Sequence, residues 1–208
     1  MAGQPVRIAI MPPGVQLGLL TASGLVEPRV GWTQQATAAI TQALTARLAG
    51  EQWSLFDLEA LAPDKRRALT ELLTLNRAVS RSILEHKLIG PDLPSKRGQL
   101  RWTLGPPARL IGAAAGADYA FFLVLRDTYA SSAHIALQVA ANLVIGYPLL
   151  GGSTYAHASL IDTRTGDIVW GALLLSYTLD LRRPENAGKL VQALLKDLPA
   201  AAVSDAAL

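Results

Sequence analysis

The chain contains no cysteine, which excludes a disulfide framework, a thiol nucleophile and a cysteine-ligated zinc site. Aromatic residues make up only 6% of the sequence and charged residues only 17%. No stretch reaches the roughly 20 uninterrupted apolar residues of an ordinary transmembrane helix. Because half of the residues are hydrophobic, the composition also excludes an intrinsically disordered protein.

Alanine and leucine supply most of the apolar content, which favours helices. The length of 208 residues predicts a single domain. We place this domain at residues 1–199, followed by a frayed tail at residues 200–208. No motif indicates a bound cofactor, so none is expected.

The net charge of +3 is modest, and basic residues are concentrated only in residues 64–101. A solvated helix face explains such a cluster, and so does contact with an anionic partner or with lipid headgroups. Nucleic-acid binding usually requires a denser basic stripe, and this cluster is weak and lacks interleaved aromatic residues. A nucleic-acid-binding module is therefore a minor alternative.

Residues 1–5 lack the basic and apolar regions of a signal peptide. We expect either a cytoplasmic protein or a mature chain whose export signal has been removed. The immediate start into an apolar strand at Val6 and the lack of cysteine fit the second case.

Hydrophobic patterning predicts strands and helices along the chain. The predicted strands cover residues 6–11, 53–57, 118–125, 155–162 and 168–177. The predicted helices cover residues 33–49, 64–88, 107–115 and 186–198. Residues 12–31, which are rich in glycine and proline, are predicted to form a loop. This order predicts an α/β fold with a mixed β-sheet layered with helices, like the sandwich of anticodon-binding domains, and with an apolar insert at about residues 130–154.

The insert fits two periodicities. A period of 3.6 makes residues 135–150 a nearly all-apolar helix with a narrow polar seam at Gln138 and Asn142. A period of 2 makes them a strand, with six large side chains on one face: Ile135, Leu137, Val139, Leu143, Ile145 and Tyr147. In either form the surface must be covered by the core, by another subunit or partner, or by lipid.

Arg126 and Asp127 stand at the end of the buried strand, shortly before Tyr129. They are candidates for a strand-end ion pair or turn cap, or for a buried pair that fixes the insert or a subunit interface. With Tyr129 and the six insert residues they form our candidate interaction surface.

Catalytic motifs are missing from the sequence. The three histidines have no metal-ligand spacing, and neither a nucleophile elbow nor a phosphate-binding loop occurs. A hydrolase that uses Asp127 with His134 or His157 is kept as an alternative.

Two motifs carry a family resemblance. Residues 116–119 read Gly-Ala-Asp-Tyr before an apolar strand, and residues 160–170 read Leu-Ile-Asp-Thr-Arg-Thr-Gly-Asp-Ile-Val-Trp. The chain resembles a superfamily of bacterial envelope lipoproteins that includes the curli-secretion channel lipoprotein, the lipoprotein activator of a penicillin-binding protein and the N-terminal domain of the Tol-system propeller protein. Six residues belong to these motifs: Gly116, Asp118, Tyr119, Asp162, Gly166 and Trp170.

The resemblance implies a non-enzymatic periplasmic domain, tethered to the outer membrane by a lipid in its native form. The implied role is envelope assembly, secretion or maintenance through protein–protein contacts. The partners would be envelope proteins or further copies of the chain, bound through residues 130–154, with membrane contact through the lipid.

Overall fold

The computed structural model describes residues 6–50, 52–91, 93–96, 101–145 and 152–198. Within them lie the strands β1 (Ile8–Ile10), β2 (Gly14–Leu20), β3 (Val26–Pro28), β4 (Trp53–Leu55), β5 (Tyr119–Ala130), β6 (Thr154–Asp162) and β7 (Ile168–Ser176). The helices are α1 (Val30–Arg47), α2 (Pro63–Leu84), α3 (Arg109–Ala115), α4 (Ser132–Ile145) and α5 (Asn186–Leu194). None of these helices is long and apolar enough to cross a membrane.

The seven strands form one mixed sheet that is covered by helices on both faces, so the predicted α/β class is confirmed. Strand β5 is central: it pairs with β1 and β2 along one edge, both parallel, and with β6 along the other edge, antiparallel. Strand β7 extends the sheet beyond β6, and β3 and β4 flank β2 and β1.

The prediction of a loop at residues 12–31 is wrong, because this segment contains β2 and β3. Ile10 pairs with Phe121 and Gly14 pairs with Val124. The three residues between β1 and β2, 11–13, therefore stand opposite only two residues of β5, 122–123. This bulge accommodates Pro12 and Pro13, which cannot donate a ladder hydrogen bond. The pairing with β5, about a hundred residues away, overrides the local loop signal.

Two cores lie on the two faces of the sheet. On one face α1 and α5 pack against β1, β2, β5 and β6, with Phe121 and Leu125 at the centre. On the other face α2 and α3 pack around Phe122 and Ile161. Because consecutive residues of a strand point to opposite faces, the apolar run Phe121–Leu125 supplies both cores.

Residues 132–145 of the insert form a helix and not a strand. Strand β5 extends to Ala130, five residues beyond the predicted end, and α4 follows directly. The Oγ atom of Ser131 accepts the backbone N–H of His134 at 3.1 Å, which caps the first turn. Of the two periodicities that fit the insert, the helical one describes residues 132–145, so Ile135 and Leu137 point about 160° apart around the helix.

Candidate functional site

The carboxyl end of β5 is where the predicted interaction residues meet the rest of the fold. Asp127 is buried, whereas Arg126 is exposed. The two side chains point to opposite faces of the sheet, as neighbours in a strand must. They form no salt bridge with each other in the described part of the chain, so the hypothesis of an Arg126–Asp127 ion pair is wrong.

Asp127 accepts hydrogen bonds from three elements of the structure. The Oγ1 atom of Thr154, at the start of β6, donates to Oδ1 at 2.8 Å, and the Tyr129 hydroxyl donates to Oδ2. The backbone N–H of Leu181 lies 3.4 Å from Oδ2 and 2.7 Å from the Tyr129 oxygen. Asp127 therefore ties β5, β6 and the segment before α5 together.

An aromatic and cationic stack covers this network. The Arg182 guanidinium lies 4.1 Å from the ring centroid of Tyr129 and 5.4 Å from that of Trp32. The rings of Trp32 and Tyr129 meet edge to face at 5.7 Å. Arg182 is held in place by Asp180, whose Oδ2 lies 2.9 Å from Nη2. Cation–π contacts of this kind stabilise by about 0.5–2 kcal/mol each, depending on burial.

The electrostatics of the network follow from its burial. Burial raises the pKa of Asp127, against the lowering effect of the hydrogen bonds from Tyr129, Thr154 and Leu181. Burial and the neighbouring Asp127 also raise the pKa of Tyr129, so its hydroxyl keeps its proton and acts as a donor. The hydrogen bond from Arg182 lowers the pKa of Asp180.

A cleft of about 350 Å³ separates this network from α4. Its lining includes Asp127, Tyr129, Arg182 and, from α4, Ile135. Gly152 and Ser153, where the chain returns to β6, close one side. The base of α4 therefore lies across this cleft from the Asp127 network, and residues from both ends of the insert line the same cleft.

The described surface of α4 is apolar and exposed. The exposed fractions of Ile135, Leu137 and Val139 are 49%, 48% and 58%. Three further predicted positions cannot be placed, because the side chains of Leu143 and Ile145 and the whole of Tyr147 lie outside the described residues. The predicted tail at residues 200–208 lies outside them as well.

The second motif forms the hairpin between β6 and β7. The Oδ1 atom of Asp162 accepts the backbone N–H of Arg164 at 2.7 Å, and Gly166 closes the turn with a positive φ of 82°. Burial would raise the pKa of Asp162, but the hydrogen bonds from Arg164 lower it below its usual value. The Nε1 atom of Trp170 donates to the Asp197 carbonyl at 3.1 Å, which fastens the end of α5 to the sheet.

The first motif connects α3 to β5. Gly116 ends α3 in the left-handed conformation. Asp118 accepts the backbone N–H of Arg7 at 3.0 Å through its side chain, and its carbonyl accepts the N–H of Thr163. Tyr119 packs at the border of the core formed with α1 and α5. Both motifs therefore hold the sheet together.

The geometry does not assemble the hydrolase considered above. His157 lies on the α2 face of the sheet, opposite to Asp127, and its Nδ1 is 2.9 Å from Ser80 Oγ. His134 lies on α4, where its Nδ1 is 3.0 Å from the Thr21 carbonyl oxygen. The described residues also contain no cluster of three or more potential metal ligands.

His157 predicts a pH-dependent stability. Burial lowers its pKa to about 4, from 6.5 in an unfolded chain. Between these values the unfolded state binds the proton more readily, so stability is complete above pH 6.5 and falls as the pH drops towards 4. At about 1.4 kcal/mol per pKa unit, we expect a loss of about 3 kcal/mol over this window. Urea unfolding from pH 7 to pH 4 measures it.

The matched variants are His157→Gln and Ser80→Ala. The first should flatten the dependence on pH relative to the unchanged chain, whereas the second should retain it because the buried imidazole is still present. Equal slopes for the unchanged chain and His157→Gln would contradict the prediction.

Four residues of the Asp127 site are not predicted from the sequence: Trp32, Thr154, Leu181 and Arg182. Trp32 and Arg182 are 150 positions apart in the chain, and no local pattern relates them. The available signal is a tryptophan directly after the segment predicted as loop, whose large apolar surface needs a tertiary partner because it would otherwise remain in water.

Comparisons with known proteins find similarity at the level of structure. No family model matches the sequence, and no curated protein matches it. Lipoprotein GNA1162 from Neisseria meningitidis has 13% identity, covering 83% of this chain and 80% of its own, with a TM-score of 0.32. The C-terminal domain of LpoB from Escherichia coli has 11% identity, covering 85% and 86%, with a TM-score of 0.30.

A hypothetical protein from Chlamydia trachomatis has 10% identity, covering 94% of each chain, with a TM-score of 0.39. TM-scores this low support no inference about the function of this chain. Function has to be argued from the chain's own surface and motifs.

Proposed function

We propose that this chain is a non-enzymatic cell-envelope domain that assembles with further copies of itself through α4. The observation that carries the proposal is the exposure of an uncharged apolar helix. Ser132–Ile145 contains no Asp, Glu, Lys or Arg, and its large described side chains are about half exposed. A helix that is apolar around most of its circumference is normally buried, and an exposed apolar patch marks an interaction site.

A second copy of the chain suits this surface. A twofold contact places the same patch of both subunits against each other, so charged residues in the patch would face like charges. The absence of charge from α4 removes that repulsion. Ala136 and Ala140 are one turn apart and both exposed, so two helix backbones can approach closely along this line.

Lipid suits the surface less well. The 14 residues of α4 extend about 21 Å at roughly 1.5 Å per residue, which is less than the hydrocarbon thickness of about 30 Å. A helix that lies in the membrane interface carries Lys and Arg on its polar face, and α4 has neither.

The envelope location is proposed from the motifs at residues 116–119 and 160–170, which resemble those of envelope lipoproteins. In this proposal the native protein is periplasmic and tethered to the outer membrane by an N-terminal lipid. Fractionation of cells that express the native gene tests the location. We expect the protein in the outer-membrane fraction, and recovery from the cytosol would contradict the proposal.

Light scattering on purified chain, with and without mild detergent, tests the assembly. The expected result is a defined oligomer for the unchanged chain. Val139→Glu should yield a monomer, because a carboxylate at this position would be buried without a partner in the interface. The control is Leu75→Glu, which places the same charge on an exposed leucine of α2, 42% accessible, and should leave the oligomer intact.

Two results would overturn self-assembly. One is a monomer at all concentrations in the absence of detergent. The other is equal dissociation by Val139→Glu and Leu75→Glu, which would place the contact elsewhere. A monomer that binds detergent micelles through α4 would make lipid the occupant instead.

A further inference from the structure

A second cleft lies on the opposite face of the sheet, between the end of α2 and the strands β2 and β5. Its volume is about 320 Å³. Three arginines line it, Arg77 and Arg81 from α2 and Arg126 from β5, together with a wall of backbone and apolar side chains: Gly14, Val15, Gln16, Leu84, Val124 and Leu125. This cleft is separate from the Asp127 network and from α4.

The three guanidinium groups converge because of local geometry. Arg77 and Arg81 are four residues apart on α2, so they lie on the same face of the helix. Arg126 lines the same cleft from β5, on the face of the sheet opposite to Asp127, as alternation along a strand requires. Gln16 is the register partner of Arg126 on β2 and adds an exposed amide at the same edge.

Among the residues that the structure describes, carboxylates balance only part of the charge in this cleft. Arg81 donates from Nε to Glu85 at 2.8 Å, and that hydrogen bond lowers the pKa of Glu85. Arg77 and Arg126 have no carboxylate within salt-bridge distance in the described part of the chain. Counted over the described residues, three cations and one anion give the cleft a charge of about two positive units.

Other arginines of the basic region differ in this respect. Arg66 pairs with Glu59 at 2.8 Å and Arg67 with Glu71 at 3.3 Å. These two arginines therefore belong to a solvated, paired helix face. Arg77 and Arg81, near the end of α2, instead share a cleft with Arg126, a cation from another element.

Gly14 gives Arg77 the room to lie in this position. A Cβ atom at residue 14 would come within 3.1 Å of Arg77 Nε and 3.7 Å of its Cγ. Without a side chain there, the arginine stem lies along the start of β2, and its guanidinium lies at the cleft.

We propose that this cleft binds a phosphate monoester. Guanidinium groups present parallel N–H donors that match the oxygens of phosphate. A phosphate monoester carries a charge of about −1.5 to −2 at pH 7, which neutralises the excess of the cleft, whereas a single carboxylate leaves part of it. The volume is at the lower end of the range of about 300–1,000 Å³ found for small-molecule sites. It holds a phosphate with a small attached group.

The phosphate monoester has two possible sources, a soluble metabolite or the headgroup of an anionic lipid. Isothermal titration calorimetry with glycerol 3-phosphate at low salt tests the soluble source. Cosedimentation with vesicles of phosphatidylcholine containing phosphatidic acid tests the lipid source, with pure phosphatidylcholine vesicles as the reference. Saturable binding in either experiment supports the proposal and identifies the source.

The deciding variants are Arg126→Gln and Arg77→Gln, compared with Arg67→Gln. The control, Arg67→Gln, removes the same charge as the cleft variants. Arg67 lies on α2 like Arg77, but its side chain is 84% exposed and does not line the cleft. We expect each cleft variant to weaken binding about tenfold or more, as the loss of a hydrogen bond to a charged group does. The control should stay within about twofold, since exposed charges act only through a screened field. Thermal unfolding should be unchanged in all three, because the altered side chains are exposed.

Two outcomes would overturn the site. In the first, neither glycerol 3-phosphate nor phosphatidic acid binds saturably to the unchanged chain. In the second, Arg67→Gln weakens binding as much as Arg126→Gln does, which would show an attraction to overall charge. Both outcomes can be judged independently of self-assembly through α4. The same titrations can be repeated on Val139→Glu, because Val139 does not line the arginine cleft.

Discussion

Replacement of Gly166 with alanine is expected to lower the free energy of unfolding by about 3 kcal/mol. Two independent costs combine at this position. The backbone has a φ of 82°, which residues with a side chain rarely adopt. A Cβ atom would also come within 2.2 Å of the Gly105 carbonyl oxygen and 2.6 Å of its nitrogen. These are backbone atoms, so the clash cannot be relieved by a rotamer change.

The clash arises because the segment 102–105 packs directly against the hairpin. The segment before α3 runs along the turn, and Leu104 donates its N–H to the Gly166 carbonyl at 2.8 Å. Trp102 accepts the N–H of Ile168 at 2.9 Å. Chemical denaturation measured by circular dichroism gives the change in stability, and a larger loss with Gly166→Val would follow from the greater strain of a β-branched residue.

Gly188→Ala is the matched control. Gly188 lies in α5 with no atom within 4 Å of the position of a Cβ, so alanine there should stabilise by roughly 0.5–1 kcal/mol through helix propensity. A loss for Gly166→Ala of less than about 1 kcal/mol would mean that the 102–105 segment moves freely away from the turn.

Replacement of Asp127 with alanine is expected to cost about 3 kcal/mol as well. The change leaves the Thr154 hydroxyl, the Tyr129 hydroxyl and the Leu181 N–H without their acceptor. Each buried donor without a partner costs about 1–3 kcal/mol, and the remaining contacts to Leu179 and between Leu181 and Tyr129 recover part of the loss. Urea denaturation followed by tryptophan fluorescence measures the effect, since Trp32 contacts Tyr129.

The neighbouring substitution Arg126→Ala provides the control for Asp127→Ala. Arg126 is exposed on the other face of the sheet, so its removal should change stability by less than about 0.5 kcal/mol. If Arg126→Ala were as destabilising as Asp127→Ala, the assignment of the two side chains to separate faces would be untenable. Asp127→Ala should also loosen the base of α4, which more rapid amide exchange at Ser131–Ile135 would reveal.

Local chemistry is sufficient for part of this fold. Helix α2 follows from its amphipathic repeat, and the turn at Asp162–Gly166 follows from residues within five positions of one another. Such elements are predictable because their stabilising contacts are made by near neighbours in the chain. The alternation of Arg126 and Asp127 is equally local, because neighbouring residues of one strand point to opposite faces of the sheet.

Tertiary pairing decided the remainder. Residues 14–20 lie in a segment rich in glycine and proline that predicts a loop, but they form a strand because seven residues of β5 supply partners in register. Residues 135–145 fit a helical and an alternating period about equally, and in the folded chain they form a helix. The Asp127 network and the arginine cleft both join side chains that are 45 or more positions apart. Their formation depends on the packing of α2, β2, β5 and the segment before α5. Local sequence periodicity does not predict contacts between residues so far apart in the chain.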